Sequence, residues 1–277
     1  MYQLDDLLHL MAGLRDPQHG CPWDLQQDWR SIVAHTIEEA YEVADVIERA
    51  SFAELPGELG DLLFQVVYYS QLGREEGRFG FAEVVDAITR KLVRRHPHVF
   101  PDGDLYGPAD APRLDEAQIA RRWEEIKAQE RAERATSPVQ LSLLDDVPAT
   151  LPALSRSVKL QKRAATVGFD WPDALPVFDK VREELDEVLQ AMSDADPEQV
   201  AEELGDLLFS VSNLARHLAV DPEAALRQAN GKFERRFRFI EQAVAEGAGS
   251  VAASSLEELE ALWQQAKRAE KGGADCG

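Results

Sequence analysis

Cysteine is nearly absent from this chain, with only Cys21 and Cys276, far apart. That excludes a disulfide framework and a cysteine-based metal site, and it fits a reducing compartment. Basic residues are scarce beside acidic ones, 30 against 51, which leaves a formal charge of −21. A surface of that sign repels a nucleic-acid backbone and an anionic membrane, so neither polymeric DNA or RNA nor a membrane is an expected partner. No apolar run approaches the ~20 residues that cross a bilayer. The opening Met1-Tyr2-Gln3-Leu4-Asp5-Asp6 has no basic stretch leading into an apolar core. The expectation is a soluble, cytoplasmic protein. Convincing strand-type alternation is missing as well.

What is present is helical periodicity. Leu204, Leu207, Leu208, Val211, Leu214, Ala215 and Leu218 recur at helix steps, and Leu59, Leu62, Leu63, Val66 and Tyr69 trace a similar seam. Asp196-Pro197 and Asp221-Pro222 each set a capping side chain before a proline suited to the first turn, and Pro56 has a matching place earlier. From Arg134 to Thr150 the periodicity lapses around Ser137-Pro138 and Asp145-Asp146-Val147-Pro148. These signals predict an all-α chain of two tandem helical bundles, residues 1–133 and 151–277, joined by a linker over 134–150. A chain of 277 residues, 44% of them hydrophobic, is long enough for two cores.

The two halves repeat an acidic pattern. Glu38-Glu39-x-x-Glu42 with Glu58-x-x-Asp61 returns as Glu183-Glu184-x-x-Glu187 with Glu203-x-x-Asp206, and 183 − 38, 203 − 58 and 206 − 61 all equal 145. Flanking pieces return in the same order: Arg15 through Trp23 as Arg163 through Trp171, Lys91-x-x-Arg94-Arg95 as Lys232-x-x-Arg235-Arg236, and Trp123-x3-Lys127 as Trp263-x3-Lys267. A whole functional unit has therefore been duplicated.

Residues three apart share a helix face, so Glu184 and Glu187 project together, as do Glu203 and Asp206. The Ser193-Asp194-Ala195-Asp196-Pro197 stretch can fold the second helix back beside the first. Four converging carboxylates repel one another, and unpaired burial would cost several kcal/mol, roughly. A divalent cation removes that penalty. All-oxygen ligation selects Mg²⁺ or Mn²⁺, and a charge of about −4 leaves room for more than one ion. A di-iron bundle is the worse reading because its Glu-x-x-His pairs are missing. Solvated helix faces are the bland alternative.

Lys232 and Arg236, four apart, offer an ammonium and a guanidinium to phosphates. Trp263 offers a face for a base or a piece of core, Lys267 follows it by one turn, and Asn213 lies seven residues after Asp206 where an amide can bond a sugar hydroxyl.

The acidic blocks, together with Glu203-Leu204-Gly205-Asp206-Leu207-Leu208-Phe209, Lys232-Phe233-Glu234-Arg235-Arg236-Phe237 and Gly168-Phe169-Asp170-Trp171, resemble the MazG nucleoside triphosphate pyrophosphohydrolases over nearly the whole chain. The resemblance implies an all-α fold, a homodimer, magnesium dependence and conversion of ribo- and deoxynucleoside triphosphates to monophosphates and pyrophosphate, in pool control or house-cleaning. It implies Glu184, Glu187, Glu203 and Asp206 as metal ligands, Lys232 and Arg236 on phosphates, and Trp263 near the base. Glu183 is a further candidate in the chemistry. The first copy keeps Glu39, Glu42, Glu58 and Asp61 but has Gly57 for Glu202 and Tyr68 for Asn213, so the second copy is expected to do most of the hydrolysis. A nucleotide-binding regulator with little turnover is the competing class.

Overall fold

The structure is a computed structural model that describes residues 1–107, 115–134, 142–145, 147–247 and 249–274. Among the described residues every regular element is a helix. The chain divides into two compact units, Met1–Thr136 and Ser137–Gly277. Much of the linker expected over 134–150 lies outside the described residues.

The first unit contains α1 (Leu4–Leu14), the short α2 (Pro22–Gln26), α3 (Ser31–Glu48), α4 (Leu55–Glu75), α5 (Phe81–Arg95) and α6 (Glu116–Arg134). The second contains α7 (Ala153–Ala165), α8 (Ala174–Ser193), α9 (Pro197–His217), α10 (Pro222–Glu246) and α11 (Leu256–Ala274). Corresponding pairs pack in both units: α3 on α4 and α8 on α9, with α1 on α4 and α7 on α9. No described helix is long and apolar enough to cross a membrane.

Local chemistry sets the helix ends. The Asp196 carboxylate accepts from the Glu198 and Gln199 amides, and Asp221 accepts from Ala224, each closing a first turn that holds a proline. Between the paired helices the chain turns at Ala50 (φ 56°) in one unit and Ala195 (φ 54°) in the other. Ala195 N–H donates to Met192 O and Asp196 N–H to Ala191 O, a left-handed helix stop that glycine would enter with less strain.

The core of the first unit gathers Met11, Ile32, Val67, Tyr68 and Leu72 from α1, α3 and α4. In the second, Val177, Ala191 and Ile240 are buried. The α8/α9 pair leaves Leu189, Met192, Leu204 and Leu208 about half exposed, and α3/α4 does the same with Ile37 and Leu59. Isolated exposed leucines are ordinary, but rows of them along the helices that carry the acidic repeat are not.

Candidate active site

Helix α8 carries Glu183, Glu184 and Glu187, and α9 carries Glu203 and Asp206. The helix period puts Glu184 and Glu187 on the α9-facing side, and carboxylate oxygens of Glu184, Glu187 and Glu203 all lie within 4.8 Å of one another. Asp206, one turn beyond Glu203, is exposed and stands outside this trio. In the first unit the corresponding trio is Glu39, Glu58 and Asp61, again within 4.8 Å, and Glu42 stands outside it. Each unit thus brings together three of its four expected ligands, but not the same three.

Glu184 is the most deeply set, 4% exposed, and its Oε2 is buried with no hydrogen-bond partner. Its other oxygen, Oε1, lies 2.7 Å from the Lys180 ammonium, which also reaches Glu183 Oε1 at 2.9 Å. Those hydrogen bonds, to Glu183 and then Glu184, hold Lys180 well above its ordinary value. Desolvation, and after it the charge of Glu184, pushes Glu187 up from the ordinary carboxylate range, with Lys180 opposing the shift.

A buried carboxylate oxygen without a donor is costly to leave unmet, and two further carboxylates within reach make a donor set suited to a hard cation. Lys180 had no place in the sequence reading. Its spacing to Glu183 and Glu184 resembles the intrahelical ion pairs found on many exposed helices, and only the burial of Glu184 distinguishes it.

The first unit handles the same charges differently. His35 stands at the position of Lys180, since 180 − 35 is 145, and its Nδ1 lies 3.6 Å from Glu38. Glu39 has no ion pair among the described residues. Burial, a hydrogen bond with Glu42 and the charge of Asp61 push its carboxyl up.

The expected substrate residues are divided. Lys232 on α10 is exposed and makes no ion pair among the described residues, and Lys267 on α11 is half-buried one turn after Trp263. Arg236 is committed: its guanidinium meets Glu270 at 2.8 Å and sits over the Trp263 ring at 5.3 Å. Trp263 also packs against Phe233 with centroids 5.5 Å apart. Together these contacts fasten α11 to α10. The first unit repeats the clamp with Arg95 and Glu130 at 2.6 Å.

Asn213 is buried, and its Oδ1 accepts from Arg216 Nε at 2.9 Å. Arg216 in turn bonds Asp170, whose carboxylate it holds below the ordinary range, and Asp170 follows Gly168, at φ 85°. The Gly-Phe-Asp-Trp turn is therefore tied to α9 by a network that Asn213 orients. Tyr68, the counterpart of Asn213, is 1% exposed and donates its hydroxyl to Asp24 O at 2.8 Å, with its ring in the core.

The family model described as the MazG nucleotide pyrophosphohydrolase domain matches residues 27–100 and 177–238, which span both acidic repeats. A protein of Escherichia coli (strain K12) named nucleoside triphosphate pyrophosphohydrolase is 51% identical, with 98% of this chain and 99% of that one aligned. One from Thermotoga maritima, named nucleoside triphosphate pyrophosphohydrolase/pyrophosphatase MazG, is 38% identical over 95% of each chain.

Proposed function

Since this chain belongs to the MazG nucleotide pyrophosphohydrolases and is a nucleoside triphosphate pyrophosphohydrolase, we propose that it splits ribo- and deoxynucleoside triphosphates into monophosphates and pyrophosphate, with magnesium, at the α8/α9 carboxylates. The observation that carries this assignment is the buried, unpartnered Oε2 of Glu184 beside Glu187 and Glu203. Glu184, Glu187 and Glu203 would hold the ion, with Asp206 one turn away as the fourth candidate. Bound there, magnesium supplies positive charge for the phosphate oxygens and lowers the pKa of a water.

The chain's own residues do the rest. Lys180 offsets part of the cluster's charge and holds one oxygen of Glu184, leaving the other available as a ligand. Glu183, exposed next to the cluster and 2.9 Å from Lys180, accepts the proton of the attacking water. Lys232 and Lys267 hold phosphate oxygens, and Trp263, stiffened by Arg236 and Phe233, offers the remaining edge of its indole to the base. Arg236 serves the phosphates through its guanidinium edge while Glu270 fixes its position.

The half-exposed rows on α3/α4 and α8/α9 support a homodimer, in which a second copy covers leucines worth about 1.5–3 kcal/mol each when buried. Clearing surplus or altered nucleotides is the role that such an activity serves.

Incubating the protein with a panel of ribo- and deoxynucleoside triphosphates tests the reading, with products followed by phosphorus NMR. Monophosphate and pyrophosphate should form only with Mg²⁺ or Mn²⁺ present. Release of orthophosphate, or equal rates in chelator, would overturn it.

A further inference from the structure

Each unit has a cavity in the same place, walled by its first helix, its second acidic helix and the start of the next one. In the first unit it is about 360 Å³, lined by Leu8 and Met11 of α1, Val67 and Gln71 of α4, and Phe81 at the start of α5. Its charged lining is balanced, Arg74 against Glu83. In the second unit it is about 470 Å³, and its lining includes Lys159 and Lys162 of α7, Arg216 of α9, Ser155, and Asp221 before α10. The duplication offset of 148 that relates Arg15 to Arg163 places Lys159 at Met11 and Lys162 at Leu14. Two lysines of the second cavity wall thus stand where the first unit has apolar residues.

The charge is local and against the trend of the molecule. Helix α7 carries Arg156, Lys159, Lys162 and Arg163 and no acidic residue, in a chain of net charge −21. Lys159 and Lys162 are exposed and make no ion pair among the described residues. Arg216 is shared with Asp170, and Asp221 is occupied in capping α10. Arg156, one turn before Lys159, has its Nε buried without an acceptor. Lys159 and Lys162, without an ion pair among the described residues and lining a cavity of ligand size, suit an anion with several oxygens better than a single carboxylate.

We propose that the α7/α9/α10 cavity of the second unit is a binding site for a small polyphosphate anion, separate from the carboxylate cluster and independent of metal. Without a cation the acidic trios repel such an anion, and the comparison of wild type with K159M/K162L separates this site from any binding that Lys232 and Lys267 retain in chelator. The proposal stands or falls apart from that assignment.

The test is isothermal titration of pyrophosphate into the full-length protein in EDTA at low ionic strength. The wild type should bind one pyrophosphate per chain, and K159M/K162L, which installs the first unit's residues at exposed positions, should weaken binding at least tenfold. K159R/K162R should keep it, which separates lost charge from lost fold, and matched melting curves check the fold of both. No binding by the wild type, equal binding by K159M/K162L, or equal competition by sulfate at matched ionic strength would each overturn the proposal. So would a dimer that dissociates in K159M/K162L while pyrophosphate affinity is unchanged.

Discussion

The two acidic repeats share their spacing, their helix pairing and even the left-handed alanine between the paired helices, yet they manage charge in different ways. In the second unit Lys180 sits against Glu184 and leaves one buried oxygen free, whereas in the first His35 turns to Glu38, and burial followed by neighbouring carboxylates pushes Glu39 up. The spacing of the carboxylates survived duplication, whereas the countercharge did not. Each cluster contains one carboxyl pushed up by burial and its neighbours, Glu187 in the second and Glu39 in the first, but only the second has an ammonium seated against its buried glutamate. If the second unit alone turns over substrate, readiness for metal rather than the carboxylates alone is what separates the two.

The largest expected effect comes from breaking the two clusters in turn. Glu203→Gln should lower turnover by about 100-fold or more, as loss of groups in or around metal sites does, while Glu58→Gln should change it by less than about threefold. Equal losses in steady-state assays would erase the functional distinction between the units.

Removing the countercharge comes next. Lys180→Met should destabilise the metal-free protein by about 2 kcal/mol, because it leaves the 4%-exposed Glu184 with no partner for either oxygen. Added Mg²⁺ should restore more of the melting temperature in this variant than in the wild type. His35→Met should do neither. Thermal melts with and without Mg²⁺ read both effects.

The clamp between α5 and α6 gives a pH-dependent check. Arg95, then Arg94, hold the Glu130 carboxyl down to about 2, so its stabilisation is complete above the usual carboxylate value of 4.5 and is lost as pH falls from there toward about 2. Glu130→Gln should cost about 1.5 kcal/mol at neutral pH and flatten the acid side of the stability curve over that window, as measured by denaturant titration. The smallest effect should be a gain: Ala195→Gly relieves the left-handed turn and should add about 0.5 kcal/mol, as should Ala50→Gly in the other unit.

The sequence carried the helices, the capping aspartates and the duplicated carboxylates, because each of these depends on spacing within a few residues. It could not carry the pairing of Arg236 with Glu270, 34 positions apart on different helices, or that of Arg216 with Asp170. Both arginine contacts are decided by which helix faces which. For that reason Asn213, read as a group for a sugar, is found orienting Arg216, and Tyr68, its counterpart in the first copy, is found in the core. Lys180 was legible in principle, but an i, i+4 lysine and glutamate say nothing of burial. The separation of Asp206 and Glu42 from their trios depends on side-chain rotation, which spacing leaves open.

The most direct test is an anomalous diffraction map from crystals of the protein grown with Mn²⁺ and a nonhydrolysable nucleoside triphosphate. A peak among Glu184, Glu187 and Glu203, with Glu184 Oε2 as a ligand and the Lys180 ammonium withdrawn from that carboxylate, is the predicted result. Nucleotide bound elsewhere, with Lys180 still paired to Glu184 and no peak between α8 and α9, would contradict the account.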